Sequence, residues 1–243
     1  MDLKFFPYQK GIGMLFDERY IGRKPIYEFI KENCENMRGT LLDYGAGKMP
    51  YRSMFKNVDK YIGLDYDVTA TSAGYYNNDV LYYDGIHIPL DDESVDNVLC
   101  NQVLEHVDDV DVSLDEIYRV MKKGGIMLLT LPAAYPIHME PYDFRRFTHY
   151  GIRQTLEKHG FREIDIKGST SMKDTLRRLK LFVVPYEIRK IFFLVINAMY
   201  ALRIKKGWSG IRCFVKSFIG KPVKNLDCEK LQYPLDYLII CKK

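Results

Sequence analysis

The sequence lacks the features that mark secreted, disulfide-bonded or membrane-spanning proteins. Its five cysteines are odd in number and form no C-x-x-C pair, so we expect neither a disulfide framework nor a metal site. The opening residues MDLKFFPYQK contain no apolar signal core. The apolar helical stretch KIFFLVINAMYALRI is shorter than the roughly 20 residues that a membrane span needs. These absences predict a protein of the reducing cytoplasm.

The composition is that of a folded protein with an uneven distribution of charge. The 243 residues are 47% hydrophobic, which is enough to bury one core, and the net charge is +4. Residues 169–224 contain thirteen Lys and Arg against two acidic residues, a local charge of +11, so the rest of the chain carries −7. A basic segment in an otherwise acidic chain indicates a surface that faces something anionic.

Strand-like and helix-like patterns alternate along most of the chain. We predict strands over 40–44, 61–65, 80–83, 95–101, 126–132 and 162–168, and a last one within PLDYLIICKK. Helical spacing is found over 110–121, where the segment ends in Lys122, Lys123, Gly124 and Gly125, the cations and glycines typical of a helix end. The alternation predicts an α/β fold with a doubly wound, mostly parallel sheet.

The alternation stops after residue 168, where the chain becomes basic and helical. We therefore divide it into a domain made of residues 1–168 and 231–243 and a basic helical insertion at 169–230. Within the insertion, KIFFLVINAMYALRI is apolar on nearly every helical face and has cations at both ends. Burial under the insertion, a subunit interface and a membrane surface all remain open for this helix.

The stretch TLLDYGAGKMPYR has the form of a nucleotide-binding turn. A buried strand leads into Gly45 and Gly47, which let the backbone turn where a side chain would collide with a ligand. The next strand ends at Asp65, about 20 residues after Asp43, where a ribose-binding carboxylate belongs. A nicotinamide dehydrogenase would need a third glycine where this chain has Pro50.

Successive stretches of the chain resemble the motifs of class I S-adenosylmethionine-dependent methyltransferases over residues 39–168. The stretches that carry the resemblance are LLDYGAGKMPYR, YIGLDYD, YYDGIHIPLDDESVDNVLCNQVLEHV, EIYRVMKKGGIMLLTLPAAYPIH and PYDFRRFTHYGIRQTLEKHGF. They are most similar to a type 11-like branch often linked to glycan and cell-envelope polysaccharide synthesis. The resemblance implies a Rossmann-like seven-stranded sheet with an antiparallel last strand and S-adenosylmethionine as cofactor. The chain departs from the wider superfamily at Lys48-Met49, where many members have glycine.

The resemblance also implies a set of cofactor-binding residues at the strand ends. The methionine part would lie on the glycine turn, the ribose at the end of the second strand, the adenine at the end of the third, and the sulfonium above the end of the fourth. In that order the residues are Asp43, Gly45, Ala46 and Gly47; Asp65 and Tyr66; Asp84 and Gly85; and Asn101 and Gln102. Each aspartate has an alternative reading as a helix cap or turn former.

Polar side chains are dense after the fifth strand, where ligands bind in parallel sheets. The group comprises His138, Glu140, Tyr142, Asp143, Arg145 and His149. Methyl transfer to a hydroxyl requires removal of its proton, which an imidazole with an oriented carboxylate can accept. We assign His138 as the base and Asp143 as its orienter, with His106 as the second candidate. Alternatively, the arginines here simply pair with Asp143.

These features favour an S-adenosylmethionine-dependent O-methyltransferase acting on a sugar or glycan acceptor, either lipid-linked or nucleotide-linked. Two alternatives stay open: methylation of a lipid-like molecule such as a quinone or phospholipid headgroup, and a non-catalytic scaffold subunit that binds the cofactor. We expect no nucleic-acid partner, because the basic segment carries no recognisable RNA or DNA module. Segment 169–230 is the candidate surface for peripheral membrane contact, at the inner face of the membrane, or for a homodimer.

Overall fold

The computed structural model describes residues 20–67, 77–170, Thr175 and 234–243. Within these ranges the chain alternates between strands and helices, as the sequence predicts. The helices are α1 (Tyr20–Cys34), α2 (Val110–Val120) and α3 (His149–Lys158), with a 3-10 turn at Arg52–Met54. The strands are β1 (Thr40–Tyr44), β2 (Lys60–Tyr66), β3 (Val80–Tyr83), β4 (Val95–Asn101), β5 (Met121–Pro132), β6 (Arg162–Gly168) and β7 (Asp236–Lys242).

The seven strands form one sheet in the order β3-β2-β1-β4-β5-β7-β6. Strands β1 to β5 pair in parallel, and β7 lies antiparallel between β5 and β6. The predicted fold class, including the antiparallel last strand, is therefore confirmed. Because β1 pairs with β2 on one side and β4 on the other, the strand order reverses at β1. In open α/β sheets, ligands bind at the carboxyl ends of the strands beside such a reversal.

Both faces of the central strands are buried, which explains their continuous apolar sequence. Leu42 points into a core shared with α2 and α3, whereas its neighbour Leu41 points into a second core shared with α1. On β5, Leu129 likewise points into the core shared with α2 and α3, and Leu128 points into the core shared with α1. All four leucines are fully buried, and each such side chain contributes about 1.5–3 kcal/mol of stability. The site at the strand ends thus rests on a rigid sheet.

The prediction that residues 122–125 end a helix is wrong. Helix α2 stops at Val120, and Met121, with ψ at 140°, already begins β5. The Lys122 ammonium pairs with Asp96 of β4 at 2.8 Å, so this cation serves strand pairing. Gly125 is needed because a Cβ there would lie 2.8 Å from the backbone oxygen of Asp96. Lysine and glycine here therefore support close contact between two strands and do not end a helix.

Helices α2 and α3 are joined by a buried imidazole. His159, directly after α3, lies with Nδ1 2.5 Å from Asp115 and Nε2 2.8 Å from Asp111. Both aspartates belong to α2, and Lys158 adds a further pair with Asp111 at 2.5 Å. His159 and Lys158 therefore connect the end of α3 to the first half of α2.

Among the helices in the described ranges, none combines the length and apolar character that a membrane crossing requires. Nearly all of the predicted insertion at 169–230, including KIFFLVINAMYALRI, lies outside the described residues. The proposed boundaries of the insertion therefore stay predictions. Strand β7 does follow it and completes the sheet.

Candidate active site

The glycine turn after β1 is fixed to the neighbouring strand by backbone hydrogen bonds. The amides of Gly45 and Ala46 both donate to the carbonyl of Leu64, at 2.8 and 2.9 Å. Gly45 has φ +73°, and a Cβ there would lie 2.3 Å from Cγ2 of Val103 in the loop after β4. Glycine is therefore required at this position by both backbone conformation and packing.

Gly47, two residues further on, faces open space. Its φ is +50°, and a Cβ built on it would meet no atom of the described residues within 4 Å. Its amide donates to Oδ2 of Asp65 at 2.9 Å, which joins the turn to the end of β2. The turn therefore lies beside space that the protein leaves open, which is the arrangement that a bound ligand requires.

Asp65 is held in a single orientation at the end of β2. Its carboxylate is 7% exposed and accepts from the amide of Gly47 at Oδ2 and from the amide of Tyr66 at Oδ1, the latter at 2.8 Å. These two bonds fix the orientation of the carboxylate. The predicted ribose ligand thus lies next to the glycine turn, with Tyr66 partly exposed beside it.

Asp43 lies beneath the turn and is nearly inaccessible to solvent, at 4% exposure. The hydroxyl of Tyr61 donates to its Oδ2 at 2.5 Å. Burial raises the pKa of Asp43 to about 7, although the Tyr61 hydrogen bond acts in the opposite direction. A positively charged ligand group nearby would favour the ionised form of this carboxyl.

Asp84 and Gly85 form an exposed turn after β3. The Asp84 carboxylate accepts from the amides of Ile86 at 2.8 Å and His87 at 3.0 Å, and these bonds hold its pKa below the usual range. Gly85 has φ +83°, and a Cβ there would approach the ring of Tyr66 at 3.2 Å. Within the protein, Asp84 therefore makes the contacts expected of a turn-forming residue, which was the alternative role considered for it.

Asn101 and Gln102 are joined at the end of β4 through one buried hydroxyl. Thr130 of β5 donates its hydroxyl to Asn101 Oδ1 at 2.7 Å and accepts from Gln102 Nε2 at 3.2 Å. Gln102 has φ +57°, a conformation that few residues other than glycine adopt. The two amide side chains are thus held at the carboxyl end of the sheet, adjacent to the glycine turn.

The loop after β5 brings His138 and Asp143 together. The amide of His138 donates to Oδ2 of Asp143 at 2.8 Å, and Nδ1 of its ring lies 3.1 Å from the same oxygen. The Arg146 guanidinium binds both Asp143 oxygens, at 2.5 and 2.7 Å, and holds the pKa of that carboxyl well below its usual range. Asp143 is therefore a permanent anion that can orient the imidazole.

His106 joins this pair from the loop after β4. Its ring centroid lies 4.8 Å from that of His138. Its Nδ1 is 2.5 Å from the carbonyl oxygen of Tyr142, and because a carbonyl only accepts, Nδ1 must carry the proton. Burial lowers the pKa of His106, so the neutral imidazole is favoured. Both predicted imidazoles are thus part of one cluster.

Glu105 belongs to the same cluster and was missed by the sequence analysis. It is 1% exposed, and in the described part of the chain neither carboxyl oxygen has a hydrogen-bond partner. Its Oε1 lies 3.7 Å from Nε2 of His106, and burial raises its pKa to about 8. The available signal was its place beside His106 in VLEHV, because a turn can direct two consecutive side chains towards one point.

Other polar residues of the loop after β5 do not join the cluster. Arg145 donates to backbone carbonyls of the loop after β4, including Asp108 at 2.7 Å, and so holds the two loops together. The ring of His149 packs against Tyr150 and Tyr237, with centroids 5.0 and 6.1 Å away. Glu140 is exposed to solvent. The structure therefore reduces the predicted group to His138 and Asp143.

Comparison with known proteins shows what the chain is similar to. Residues 42–129, from the glycine turn to β5, match a family model described as a methyltransferase domain. A probable S-adenosylmethionine-dependent methyltransferase of Mycolicibacterium smegmatis is 28% identical over 172 residues, which cover 66% of each protein. An uncharacterized methyltransferase of Mycobacteroides abscessus is 30% identical over 58% of this chain and 61% of the relative. The chain thus spans just under two thirds of the length of these relatives.

The fold is shared with solved structures. A crystal structure of an S-adenosylmethionine-dependent methyltransferase from Archaeoglobus fulgidus aligns with a TM-score of 0.53 at 19% identity, over 93% of this chain and 94% of that protein. At this identity the likeness concerns the fold alone. Residues 42–129 therefore match a methyltransferase domain model, and the seven-stranded sheet is of the kind found in this solved structure.

Proposed function

We propose that the protein is an S-adenosylmethionine-dependent methyltransferase that methylates a hydroxyl of a sugar or glycan, either lipid-linked or nucleotide-linked. The observation that carries the cofactor assignment is the open space at Gly47 beside the oriented carboxylate of Asp65. The predicted cofactor-binding residues lie at the strand ends, and residues 42–129 match a methyltransferase domain model. Both observations argue against a scaffold that has lost cofactor binding.

The residues at the ends of β1 to β4 fit the parts of the cofactor. Asp65 offers acceptors to the ribose hydroxyls, and the buried Asp43 supplies negative charge near the methionine ammonium. Gly47 removes the side chain that would fill the cofactor space. When bound, S-adenosylmethionine supplies an activated methyl group on a sulfonium. The protein contributes mainly by orienting the acceptor in line with that group.

On the acceptor side, His138 is placed to receive the hydroxyl proton. Its Nδ1 lies 3.1 Å from Asp143 Oδ2 and 3.3 Å from both the Pro136 carbonyl oxygen and Arg146 Nη2, and the tautomer with its proton on Nδ1 has Nε2 as the basic nitrogen. Asp143 acts as a positioning residue, because Arg146 already keeps it ionised. His106 borders the same space and packs edge-on against the His138 ring.

A lipid-like acceptor is the second candidate, and the surface around His138 favours it. Ile137 is 70% exposed and Met139 54%, and Tyr142 and Phe144 of the same loop are also exposed. Apolar side chains beside the base would suit the chain of a quinone or the tail of a lipid-linked glycan. The same patch supports a location in the cytoplasm with peripheral membrane contact, to which the basic segment 169–230 would add electrostatic attraction.

We expect Asp65→Ala to weaken binding of S-adenosylhomocysteine by roughly 10–150-fold. The change removes a hydrogen-bonding charged group, a loss of about 1.5–3 kcal/mol. Isothermal titration calorimetry measures the effect, with Asp79→Ala as the control because the Asp79 side chain is exposed and pairs with the surface residue Arg52. Equal affinity in wild type and Asp65→Ala would refute the ribose assignment, and tight binding of NADH instead would indicate a dehydrogenase.

The two turn glycines give a matched pair of variants. Gly47→Ala should keep the fold, at a cost of about 1–2 kcal/mol for its left-handed backbone, but lose cofactor affinity because the new methyl group enters the open space. Gly45→Ala should lower the melting temperature further, because its methyl group collides with Val103. Thermal unfolding with and without S-adenosylhomocysteine separates the two effects. Unchanged affinity in a folded Gly47→Ala protein would place the cofactor elsewhere.

A further inference from the structure

Three side chains with metal-ligating atoms converge between the loops after β4 and β5. One ligand atom from each of Glu105, His106 and His138 lies within 4.8 Å of the other two. We propose that this cluster binds one divalent first-row transition-metal ion, with zinc the best match to a carboxylate and two imidazoles. Two His ligands with one Glu form a known catalytic zinc set that keeps a position open for substrate. This runs against our expectation from cysteine usage.

Glu105 provides the first argument, because the protein alone does not satisfy it. Its carboxyl is buried, and neither oxygen has a hydrogen-bond partner among the residues that the structure describes. Leaving such a group unpaired costs on the order of 1–3 kcal/mol, and buried carboxylates normally pair or coordinate a metal ion. A cation at the cluster supplies the missing partner for both oxygens.

The imidazoles are oriented as metal ligands usually are. His106 donates its Nδ1 proton to the Tyr142 carbonyl, which leaves the lone pair of Nε2 on the side of Glu105. Nδ1 of His138 lies near the Asp143 carboxylate, the Pro136 carbonyl and Arg146 Nη2, and the tautomer that donates from Nδ1 to either oxygen leaves the Nε2 lone pair available. Ligating histidines typically donate their other N–H to a carbonyl or carboxylate, which fixes the tautomer.

The spacing is close to that of a formed site. Metal–ligand bonds of about 2.0–2.1 Å in a tetrahedral site place ligand atoms about 3.4 Å apart. Glu105 and His106 are already 3.7 Å apart, and the widest pair in the cluster is within 4.8 Å. Closing the remaining gap requires a side-chain shift of about 1 Å, well within the range of a rotamer adjustment on ion binding.

Among the described residues, the charged groups around the cluster do not supply a partner for Glu105. Glu105 and Asp143 are the two carboxyl groups at the cluster, Arg146 acts on both, and its Nη2 also lies 3.3 Å from Nδ1 of His138. Arg146 binds both Asp143 oxygens through two of its guanidinium nitrogens and makes no hydrogen bond to Glu105. Glu105 is therefore left without a directly bonded counter-charge of its own.

The catalytic consequence rests on the proposed function. With the ion bound, His138 is a ligand rather than the base, and the ion coordinates the acceptor hydroxyl in its open position and lowers its pKa. The hydroxyl proton then passes to solvent, the oxygen forms its bond to the methyl carbon, and the carbon–sulfur bond breaks to leave a neutral thioether. Metal binding itself does not depend on this reaction.

The test is direct titration of chelator-treated, dialysed full-length protein with ZnCl₂ by calorimetry and with CoCl₂ by visible absorption. We expect one ion per chain, a higher melting temperature with zinc, and a cobalt spectrum without thiolate bands. Glu105→Gln and His106→Gln should each weaken zinc binding at least 10-fold. His87→Gln is the matched control, because His87 is an exposed imidazole that pairs with Glu116 outside the cluster.

Binding of S-adenosylhomocysteine is measured on the same samples, so that the two proposals fail separately. Equal zinc affinity in wild type, Glu105→Gln and His106→Gln, or no saturable binding by folded wild type, would overturn the metal site and leave the methyltransferase proposal intact. Zinc binding that the two substitutions abolish, without any S-adenosylhomocysteine binding, would support the metal site and overturn the proposed function. If one variant fails to fold, the other decides.

Discussion

Replacing His138 with Ala is expected to lower turnover by about 10²–10⁴-fold, the usual contribution of one acid–base group. Cofactor affinity should change little, because His138 lies in the loop after β5 and not at the glycine turn. The measurement is kcat on the true acceptor together with calorimetry of S-adenosylhomocysteine. His149→Ala is the matched control, because that imidazole packs against Tyr150 and Tyr237 away from the cluster.

The partner variant Asp143→Asn distinguishes positioning from structure. An amide keeps the size of the carboxyl group but can donate to Nδ1 of His138, which would favour the wrong tautomer. We expect kcat to fall with KM little changed, and Asp143→Glu to restore part of it. Full turnover in both His138→Ala and Asp143→Asn would exclude this pair, and His106 would become the next base to test.

Between pH 5 and pH 8, the unfolding free energy of the wild-type protein is expected to fall by roughly 2–3 kcal/mol more than that of Asp43→Asn. The pKa of Asp43 is about 7 in the folded state against a usual 3.8, and each unit corresponds to about 1.36 kcal/mol. Because the folded value is raised, its stabilising effect is complete below pH 3.8. It is lost progressively as the pH rises to 7, since the unfolded chain ionises first.

Urea unfolding of both proteins at pH 5 and pH 8 measures this difference. Asn keeps an oxygen that can accept from the Tyr61 hydroxyl, so the variant removes the titration while retaining the hydrogen bond. Asp59→Asn, at an exposed position before β2, is the control. Identical pH dependence in wild type and Asp43→Asn would show that Asp43 stays ionised when folded. Adding S-adenosylmethionine should reduce the dependence if its ammonium lies nearby.

The sheet could be predicted from the sequence because the signals for its strands and turns lie within short stretches of the chain. Leu41 and Leu42 belong to a short apolar run that a strand buried on both faces explains, and Gly45 and Gly47 mark a turn in which both residues have positive φ. The end of α2 was predicted wrongly for the opposite reason. Whether Lys122 and Gly125 cap a helix or pair with Asp96 of β4 depends on a strand more than 20 residues away in sequence.

The candidate site was only partly predictable. His138 and Asp143 lie within five residues, so their proximity followed from the sequence, and the paired arginine is Arg146. The approach of Glu105 to His138 arises from two loops at the ends of neighbouring strands, and its lack of a partner depends on burial. A sequence shows that a carboxyl group is present, but only the packed structure shows that nothing bonds to it.

Strand β7, which lies between β5 and β6, has a consequence for the order of folding and for evolution. Ile126 of β5 pairs with Lys242 of β7, more than a hundred residues later, so closing this pair is among the slowest steps expected in folding. The entropy of closing a long loop rises only logarithmically, by about 0.6 kcal/mol for each doubling of its length. The connection between β6 and β7 is therefore where the chain can lengthen or shorten, and so gain new partners, with little effect on the sheet.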